Sequence, residues 1–206
     1  MTLIKICGIT NLNDAHAAVT AGADALGFNF YKPSPRYIAP ESAREIINTL
    51  RDSILTVGVF VNEGSPDAVR SIADQSGVKA VQLHGDESPD YCRALNSVIK
   101  TFAVSDNFDI KQLESYEVDA IMLDTKDNRL HGGTGRVFDW SIAQQVSQLI
   151  PKLYLAGGLS TENIIEAIEM VQPYAVDACS SLEDKPGIKN HERMGVFVSK
   201  VRSVKP

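Results

Sequence analysis

The stretch Ile4-Lys5-Ile6-Cys7-Gly8-Ile9-Thr10 places a cysteine where the first apolar run of the chain ends and a turn begins. Side chains in a β-strand alternate between the two faces, so Lys5 and Cys7 are predicted to share one face while Ile4 and Ile6 occupy the other. A thiol and an ammonium group would then lie side by side. Because most free cysteines are buried and inert, the importance of Cys7 depends on what the rest of the chain brings near it.

The composition is that of an ordinary globular protein. The 206 residues are enough for one domain with a full core, and 44% of them are hydrophobic against 22% charged. A net charge of -6 argues against nucleic acid or an anionic membrane surface as a partner, since both attract clustered Lys and Arg. With no signal-peptide pattern and no long apolar stretch, we expect a cytoplasmic protein.

The cysteines favour a reducing compartment. Cys7, Cys92 and Cys179 are odd in number, widely spaced and not arranged as a CxxC pair. This spacing predicts neither a disulfide framework nor a metal cluster. We interpret Cys92, in a predicted helix, and Cys179, in a predicted strand, as packing residues.

Eight β-rich apolar runs alternate with segments that have helical periodicity and capping residues. The strands are predicted over 3–9, 25–30, 55–61, 80–84, 98–104, 120–124, 153–156 and 175–179. Helices are predicted over 13–21, 40–51, 65–75, 88–95, 139–149, 161–170 and 190–204, with 108–116 as the weakest helical segment. The intervals between strands are long enough for crossover helices and too long for hairpins, which indicates a parallel sheet.

This alternation fits either a closed barrel or an open doubly wound sheet. The count of eight and the lack of a GxGxxG motif after the first strand favour a single-domain (β/α)8 TIM barrel over residues 1–206. In that fold the chemistry takes place at the carboxyl ends of the strands, so the residues at those ends are the candidates for function.

Three polar residues stand at or just after strand ends. Asp124 ends the sixth strand and is either a reactive carboxylate or a cap for the following loop. Arg36, in the proline-containing segment 31–37, is suited to hold a carboxylate through paired hydrogen bonds, although a solvated arginine is the commoner case. His84 ends the fourth strand and is either a substrate contact or a rim histidine with its own partners.

Glycine- and serine-rich segments follow the last three strands. They are Gly133 with Gly135 after the sixth strand, Gly157 with Gly158 after the seventh, and Ser180 with Ser181 after the eighth. Tight turns alone explain any one glycine pair. Backbone amides and helix amino termini at adjacent strand ends also bind phosphate in barrels, and the joint placement favours this interpretation.

As an ordered set, these motifs resemble the phosphoribosylanthranilate isomerase family over nearly the whole chain. The matching stretches include the opening one, Ser34-Pro35-Arg36, Gln82-Leu83-His84-Gly85, Leu123-Asp124, Gly132-Gly133-Thr134-Gly135, Leu155-Ala156-Gly157-Gly158-Leu159 and Val176-Asp177. The resemblance implies an Amadori rearrangement of N-(5-phosphoribosyl)anthranilate in tryptophan biosynthesis, with no cofactor and no metal. The phosphorylated small molecule would be the partner of a monomer or weak homodimer.

The resemblance also implies residue roles. Asp124 would be the general acid that protonates the furanose ring oxygen, and Cys7 the general base that removes the C2 proton. Arg36 would hold the anthranilate carboxylate, His84 would contact substrate, and Asp177 would support the ring-opened intermediate. The glycine and serine segments would hold the phosphate.

Lys5 and Ser181 raise separate questions. Lys5 either promotes the thiolate form of Cys7 or pairs with a carboxylate inside the barrel. Ser181 stands where the family usually has glycine, and a positive φ there would cost about 1 kcal/mol. Two alternatives stay open: a histidine-biosynthesis sugar isomerase, which uses two aspartates, and a catalytically silent barrel that binds a phosphometabolite.

Overall fold

A computed structural model describes residues 1–105, 107–125 and 140–204. Eight parallel strands close into a barrel in sequence order. They are β1 (Leu3–Ile6), β2 (Ala25–Asn29), β3 (Leu55–Phe60), β4 (Ala80–Leu83), β5 (Val98–Val104), β6 (Ala120–Thr125), β7 (Leu153–Leu155) and β8 (Ala175–Ala178). Since β1 pairs with both β2 and β8, the predicted TIM barrel is confirmed and the open sheet is excluded.

Helices follow the strands on the outside of the barrel. They are α1 (Leu12–Ala21), α2 (Pro40–Ile47), α3 (Pro66–Ser76), α4 (Pro89–Arg93), α5 (Trp140–Leu149), α6 (Ile164–Val171) and α7 (His191–Ser203). Ser65 and Ser88 accept hydrogen bonds from the first turns of α3 and α4, as their sequences predict. In the described part of the chain, no helix has the length and apolar character of a membrane span.

Several predicted bounds are wrong. The segment between β5 and β6 forms a 3₁₀ helix, Ile110–Ser115, and α6 begins at Ile164, three residues later than predicted. A hairpin of β9 (Glu183–Lys185) and β10 (Ile188–Lys189) follows β8 and was not expected. The predicted start of the fifth α-helix at residue 139 lies outside the described residues. The first strand ends at Ile6, so Cys7 stands immediately beyond it.

The alternation along β1 separates the two layers of the core as predicted. Ile4 and Ile6 are fully buried between the barrel and its helices. Met122 and Tyr154 belong to a second apolar cluster inside the barrel. Lys5 points into that interior, where it is fully buried beside a polar partner. Burying an ammonium group requires such a partner, so the barrel interior is built around charge as well as apolar packing.

Candidate active site

Cys7 lies at the carboxyl end of β1, held by a hydrogen bond from its N–H to the Ala178 carbonyl (2.9 Å). Its thiol occupies space that Gly27 on β2 leaves open: a Cβ on Gly27 would lie 2.7 Å from Cys7 Sγ and 3.0 Å from Lys5 Nζ. The next residue, Gly8, turns the chain with a φ of 76°. Cys7 and Lys5 therefore share one face, as the alternation predicts.

The surroundings of Cys7 favour its thiolate. A hydrogen bond from the Cys179 thiol lowers the pKa of Cys7 well below its usual range; burial opposes this, and the charges of Lys5 and Lys189 reinforce it. The same contact raises the pKa of Cys179. The contact between the two thiols therefore favours the deprotonated form of Cys7 and the protonated form of Cys179. The interpretation of Cys179 as a packing residue was wrong, because its side chain is part of the site.

Lys5 pairs with a carboxylate inside the barrel, which is one of its two predicted alternatives. Its ammonium group lies 2.9 Å from Asp177 Oδ1 in a buried ion pair. Although burial favours the neutral form, the charges of Asp177 and Cys7 raise the pKa of Lys5. Burial raises the pKa of Asp177 to about 7 against the attraction of Lys5, with the Cys7 charge adding to the rise. These contacts favour the charged form of Lys5, which lies between the Asp177 carboxyl group and Cys7.

Asp124 and His84 form a second pair at the mouth of the barrel, with His84 Nε2 lying 3.3 Å from Asp124 Oδ2. The Gln82 amide nitrogen lies 3.1 Å from His84 Nδ1 on the other side of the ring, so contacts on both ring nitrogens fix the orientation of the imidazole. Burial lowers the pKa of His84, but the hydrogen bond and charge of Asp124 outweigh it and raise the pKa overall. The side chains are 37% and 28% exposed, so this pair is open to a ligand.

Arg36 is held by a carboxylate of the chain itself. Its Nε and Nη2 donate to both oxygens of Glu183 over 2.7–3.0 Å. Lys189 Nζ lies 2.9 Å from Glu183 Oε1 and donates to the Cys179 carbonyl over 3.1 Å. A guanidinium has five N–H donors, so Arg36 keeps donors for a ligand while Glu183 fixes its orientation. The carboxylate-binding role of Arg36 stays a prediction.

The segments predicted to bind phosphate follow β7 and β8. Gly157 and Gly158 have φ values of 84° and 64°, conformations that suit glycine. The hydroxyl of Ser181 donates to the Leu159 carbonyl over 2.5 Å and joins the two segments. Ser180 begins a 3₁₀ helix that contains Ser181.

The right-handed 3₁₀ conformation of Ser181 removes the expected cost of a positive φ. The third segment, with Gly133 and Gly135, lies outside the described residues.

The cluster of Lys5, Cys7 and Asp177 and the pair of His84 and Asp124 face the same mouth of the barrel. The charge of Asp124 contributes to the raised pKa of Asp177, and that of Cys7 contributes to the raised pKa of His84. Sequence reasoning missed four residues that shape this region, namely Gly27, Cys179, Glu183 and Lys189. Among the described residues, no group of three or more His, Cys, Asp or Glu side chains is arranged to hold a metal ion.

Comparison with known proteins identifies the family of this chain. The family model "N-(5'phosphoribosyl)anthranilate (PRA) isomerase" matches residues 4–200. The N-(5'-phosphoribosyl)anthranilate isomerase of Thermotoga neapolitana is 45% identical over 207 residues, which cover 99% of this chain and 100% of that protein. The solved phosphoribosyl anthranilate isomerase of Thermotoga maritima is 42% identical with a TM-score of 0.91, and the match covers 99% of this chain and 100% of that one.

A further solved isomerase of the same name contains a bound ligand. It is 41% identical with a TM-score of 0.88, over 99% of this chain and 100% of that chain. Its ligand is reduced 1-(o-carboxyphenylamino)-1-deoxyribulose 5-phosphate. The match of sequence and barrel over nearly the whole length agrees with the resemblance carried by the motifs, and the chain belongs to the N-(5'-phosphoribosyl)anthranilate isomerase family.

Proposed function

We propose that the barrel mouth converts N-(5'-phosphoribosyl)anthranilate into 1-(2-carboxyphenylamino)-1-deoxyribulose 5-phosphate, with Cys7 as general base and Asp124 as general acid. One observation carries the proposal: the Cys7 thiol and the Asp124 carboxyl group, which is paired with His84, lie at the carboxyl ends of β1 and β6 in one closed barrel. A base and an acid at one site are what an aldose-to-ketose rearrangement needs.

The first step opens the sugar ring. Asp124 gives a proton to the ring oxygen as the bond from that oxygen to C1 breaks, and the anilino nitrogen supplies the electron pair for a C1 iminium. His84, at 3.3 Å from Asp124, shares a proton with the carboxyl group and returns it to the acidic position. Because the pKa of His84 is raised, this proton is retained closer to neutral pH than on a free imidazole.

The second step moves a proton from carbon. The Cys7 thiolate takes the C2 proton, the C2 electron pair forms the C1–C2 double bond, and the iminium nitrogen becomes neutral. The resulting enolamine tautomerises to the C2 ketone. Lys5 stabilises the thiolate before transfer, while Asp177, with a pKa of about 7, supports the ring-opened intermediate by exchanging hydrogen bonds with its hydroxyls.

Both ends of the substrate need anchors. Arg36, oriented by Glu183, binds the anthranilate carboxylate through its remaining N–H groups. Gly157, Gly158 and the segment beginning at Ser180 bind the phosphate through backbone amides. The product-like ligand of the solved relative carries both groups, a carboxylate and a phosphate. Fixing two ends of the sugar places its reacting atoms between base and acid.

The test follows the loss of substrate fluorescence in purified protein. We expect turnover by the wild type and a loss of at least about a hundredfold in kcat for Cys7→Ser and for Asp124→Asn, in keeping with the usual size of general acid–base catalysis. An inactive wild type would contradict the assigned reaction. Variants that keep most of their turnover would contradict the two roles while leaving the reaction in place.

We also propose that the chain works in the cytoplasm as a monomer or weak homodimer. Its three cysteines are all free, which suits a reducing compartment. Sedimentation at increasing protein concentration tests the assembly: a single slow species, or a dimer that dissociates on dilution, is expected. A concentration-independent larger species would contradict this proposal.

A further inference from the structure

We propose that Cys7 and Cys179 form a reversible disulfide on exposure to hydrogen peroxide, which makes the pair an oxidation site that turns the isomerase off. The formation of the bond depends only on the two thiols and their surroundings. Its effect on activity rests on the role proposed above for Cys7.

Strand pairing places the two cysteines side by side. The register of β1 and β8 pairs Ile6 with Ala178, so Cys7 and Cys179 are the first residues beyond the ends of these adjacent strands. Paired strands lie about 4.8 Å apart, inside the Cα separation of roughly 4.4–6.8 Å that a disulfide spans. A Cβ built on Gly8 would meet Cys179 Sγ at 2.9 Å, so this thiol lies against the residue that follows Cys7. Bond formation therefore needs little backbone movement.

The two sulfurs also differ in the way the reaction requires. The pKa of Cys7 is lowered and that of Cys179 is raised, so Cys7 is the sulfur favoured to attack peroxide as a thiolate. Lys189 Nζ lies 3.8 Å from Cys179 Sγ and stabilises the negative charge that develops there. Both cysteines are partly exposed, whereas Cys92 is buried and its pKa is raised by burial.

The chemistry balances with peroxide as the oxidant. The Cys7 thiolate attacks one peroxide oxygen, the O–O bond breaks, and the leaving hydroxide takes a proton to become water, which leaves a sulfenic acid on Cys7. The Cys179 sulfur then attacks the Cys7 sulfur, the S–O bond breaks, and the second oxygen leaves as water with the Cys179 proton. Two thiols lose two electrons to one peroxide, and a dithiol reductant returns them.

The neighbouring thiol also determines how far oxidation proceeds. A sulfenic acid without a partner is oxidised further by peroxide to the irreversible sulfinic acid. With Cys179 in contact, the disulfide forms first and removes the base without destroying it. Oxidation of Cys7 is then recoverable.

The experiment treats the full-length protein with hydrogen peroxide, alkylates the free thiols and maps the peptides without reduction. We expect a Cys7–Cys179 cross-linked peptide, a loss of activity of at least about tenfold, and recovery with dithiothreitol. In Cys179→Ser, which keeps a hydrogen-bond donor but has no second thiol, we expect sulfinic acid on Cys7 and inactivation that dithiothreitol does not reverse. Cys92→Ala serves as the matched control and should respond as the wild type does.

Different results would contradict the disulfide, its effect on activity and the proposed function. Absence of the cross-linked peptide from peroxide-treated wild type would overturn the disulfide. A cross-linked protein that remains as active as its untreated sample would overturn the switch. A protein that forms the cross-link but never turns over the anthranilate substrate would refute the proposed function and leave the oxidation site standing, because the peptide is detected without an assay of activity.

Discussion

The Arg36 guanidinium donates three hydrogen bonds of 2.7 to 3.0 Å to the Glu183 carboxylate, although the two residues are 147 positions apart in the chain. Glu183 is nearly fully buried, while the Arg36 side chain keeps 22% of its surface exposed. The buried partner thus fixes the plane of a group whose outer edge faces solvent. This arrangement is consistent with the carboxylate-binding role proposed for Arg36.

Replacing this arginine should chiefly weaken substrate binding. In Arg36→Met we expect KM to rise at least about tenfold with a smaller effect on kcat, because a charge-assisted hydrogen bond is worth roughly 1.5–3 kcal/mol. Lys189 still pairs with Glu183 in this variant, so the carboxylate is not left without a cation. Steady-state kinetics give the answer, and an unchanged KM would contradict the assigned role.

The pH profile should depend on the hydrogen bond from Cys179. A general base works above its pKa, so kcat/KM should fall as pH decreases through the pKa of Cys7. Cys179→Ala removes the donor, raises that pKa and moves the acid limb of the profile to higher pH. A rise of about one pKa unit would correspond to roughly 1.4 kcal/mol. Cys179→Ser keeps a donor and should stay near the wild type; coincident profiles for all three proteins would refute the assigned contact.

Gly27 should tolerate no side chain. In Gly27→Ala the new Cβ would meet Cys7 Sγ at 2.7 Å and the Cys7 backbone at 3.1 Å, so Cys7 must move. We expect kcat to fall by at least about tenfold, since small displacements of reacting groups have large effects on rate. Gly195→Ala in α7 meets no atom within 4 Å and should stabilise the helix by up to about 1 kcal/mol with normal activity. Full activity in Gly27→Ala would contradict the expected clash between the added Cβ and Cys7.

Stability should fall with rising pH because of Asp177. Its pKa is about 7 in the folded protein against an ordinary value of 3.8, so between these values the native state holds a proton that the unfolded chain releases. The free energy of unfolding contributed by this group therefore decreases from about pH 4 to pH 7 and is constant above. Denaturant titrations should show this slope in the wild type and a shallower one in Asp177→Asn. Equal slopes would contradict the raised pKa.

The buried ion pair of Lys100 and Glu87 should support the loop that follows His84. Lys100 Nζ lies 2.9 Å from Glu87 Oε2 and donates to the Gly85 carbonyl over 2.6 Å, while the N–H groups of Asn62 and Gly85 donate to Glu87. Lys100→Met should lower the free energy of unfolding by about 3–5 kcal/mol, the usual cost of breaking such a pair. Thermal unfolding measures this loss in the free energy of unfolding, and Lys111→Met at an exposed lysine serves as the control. A loss no larger than in the control would refute the pair's contribution.

Periodicity alone predicted the parts of the site that lie within strands or at their ends. The shared face of Lys5 and Cys7, and the strand-end positions of Asp124 and His84, follow from the alternation of side chains and the closure of the barrel. Cys179 could be placed beside Cys7 only through the register of β1 and β8, which depends on pairing across the whole chain. A single sequence contains no local signal for that pairing.

The hairpin after β8 shows another reason for failure. Its strands, Glu183–Lys185 and Ile188–Lys189, have three and two residues, too few to display a period of two. Glu183 and Lys189 therefore looked like loop charges, and the partner of Arg36 was missed. The expected cost of a positive φ at Ser181 was wrong for a different reason. A family pattern with glycine at this position does not specify the backbone conformation that is adopted when serine replaces the glycine.

The closure of the barrel between β1 and β8 also has a consequence for synthesis of the protein. Cys7 lies at the first strand, whereas Asp177 and Cys179 lie at the last one and Lys189 follows in the hairpin. During translation, the nascent chain carries an ordinary cysteine until its eighth strand has left the ribosome and paired with the first. Reactivity of this thiol thus reports completion of the barrel, and pulse labelling of ribosome-bound chains of increasing length would time that event.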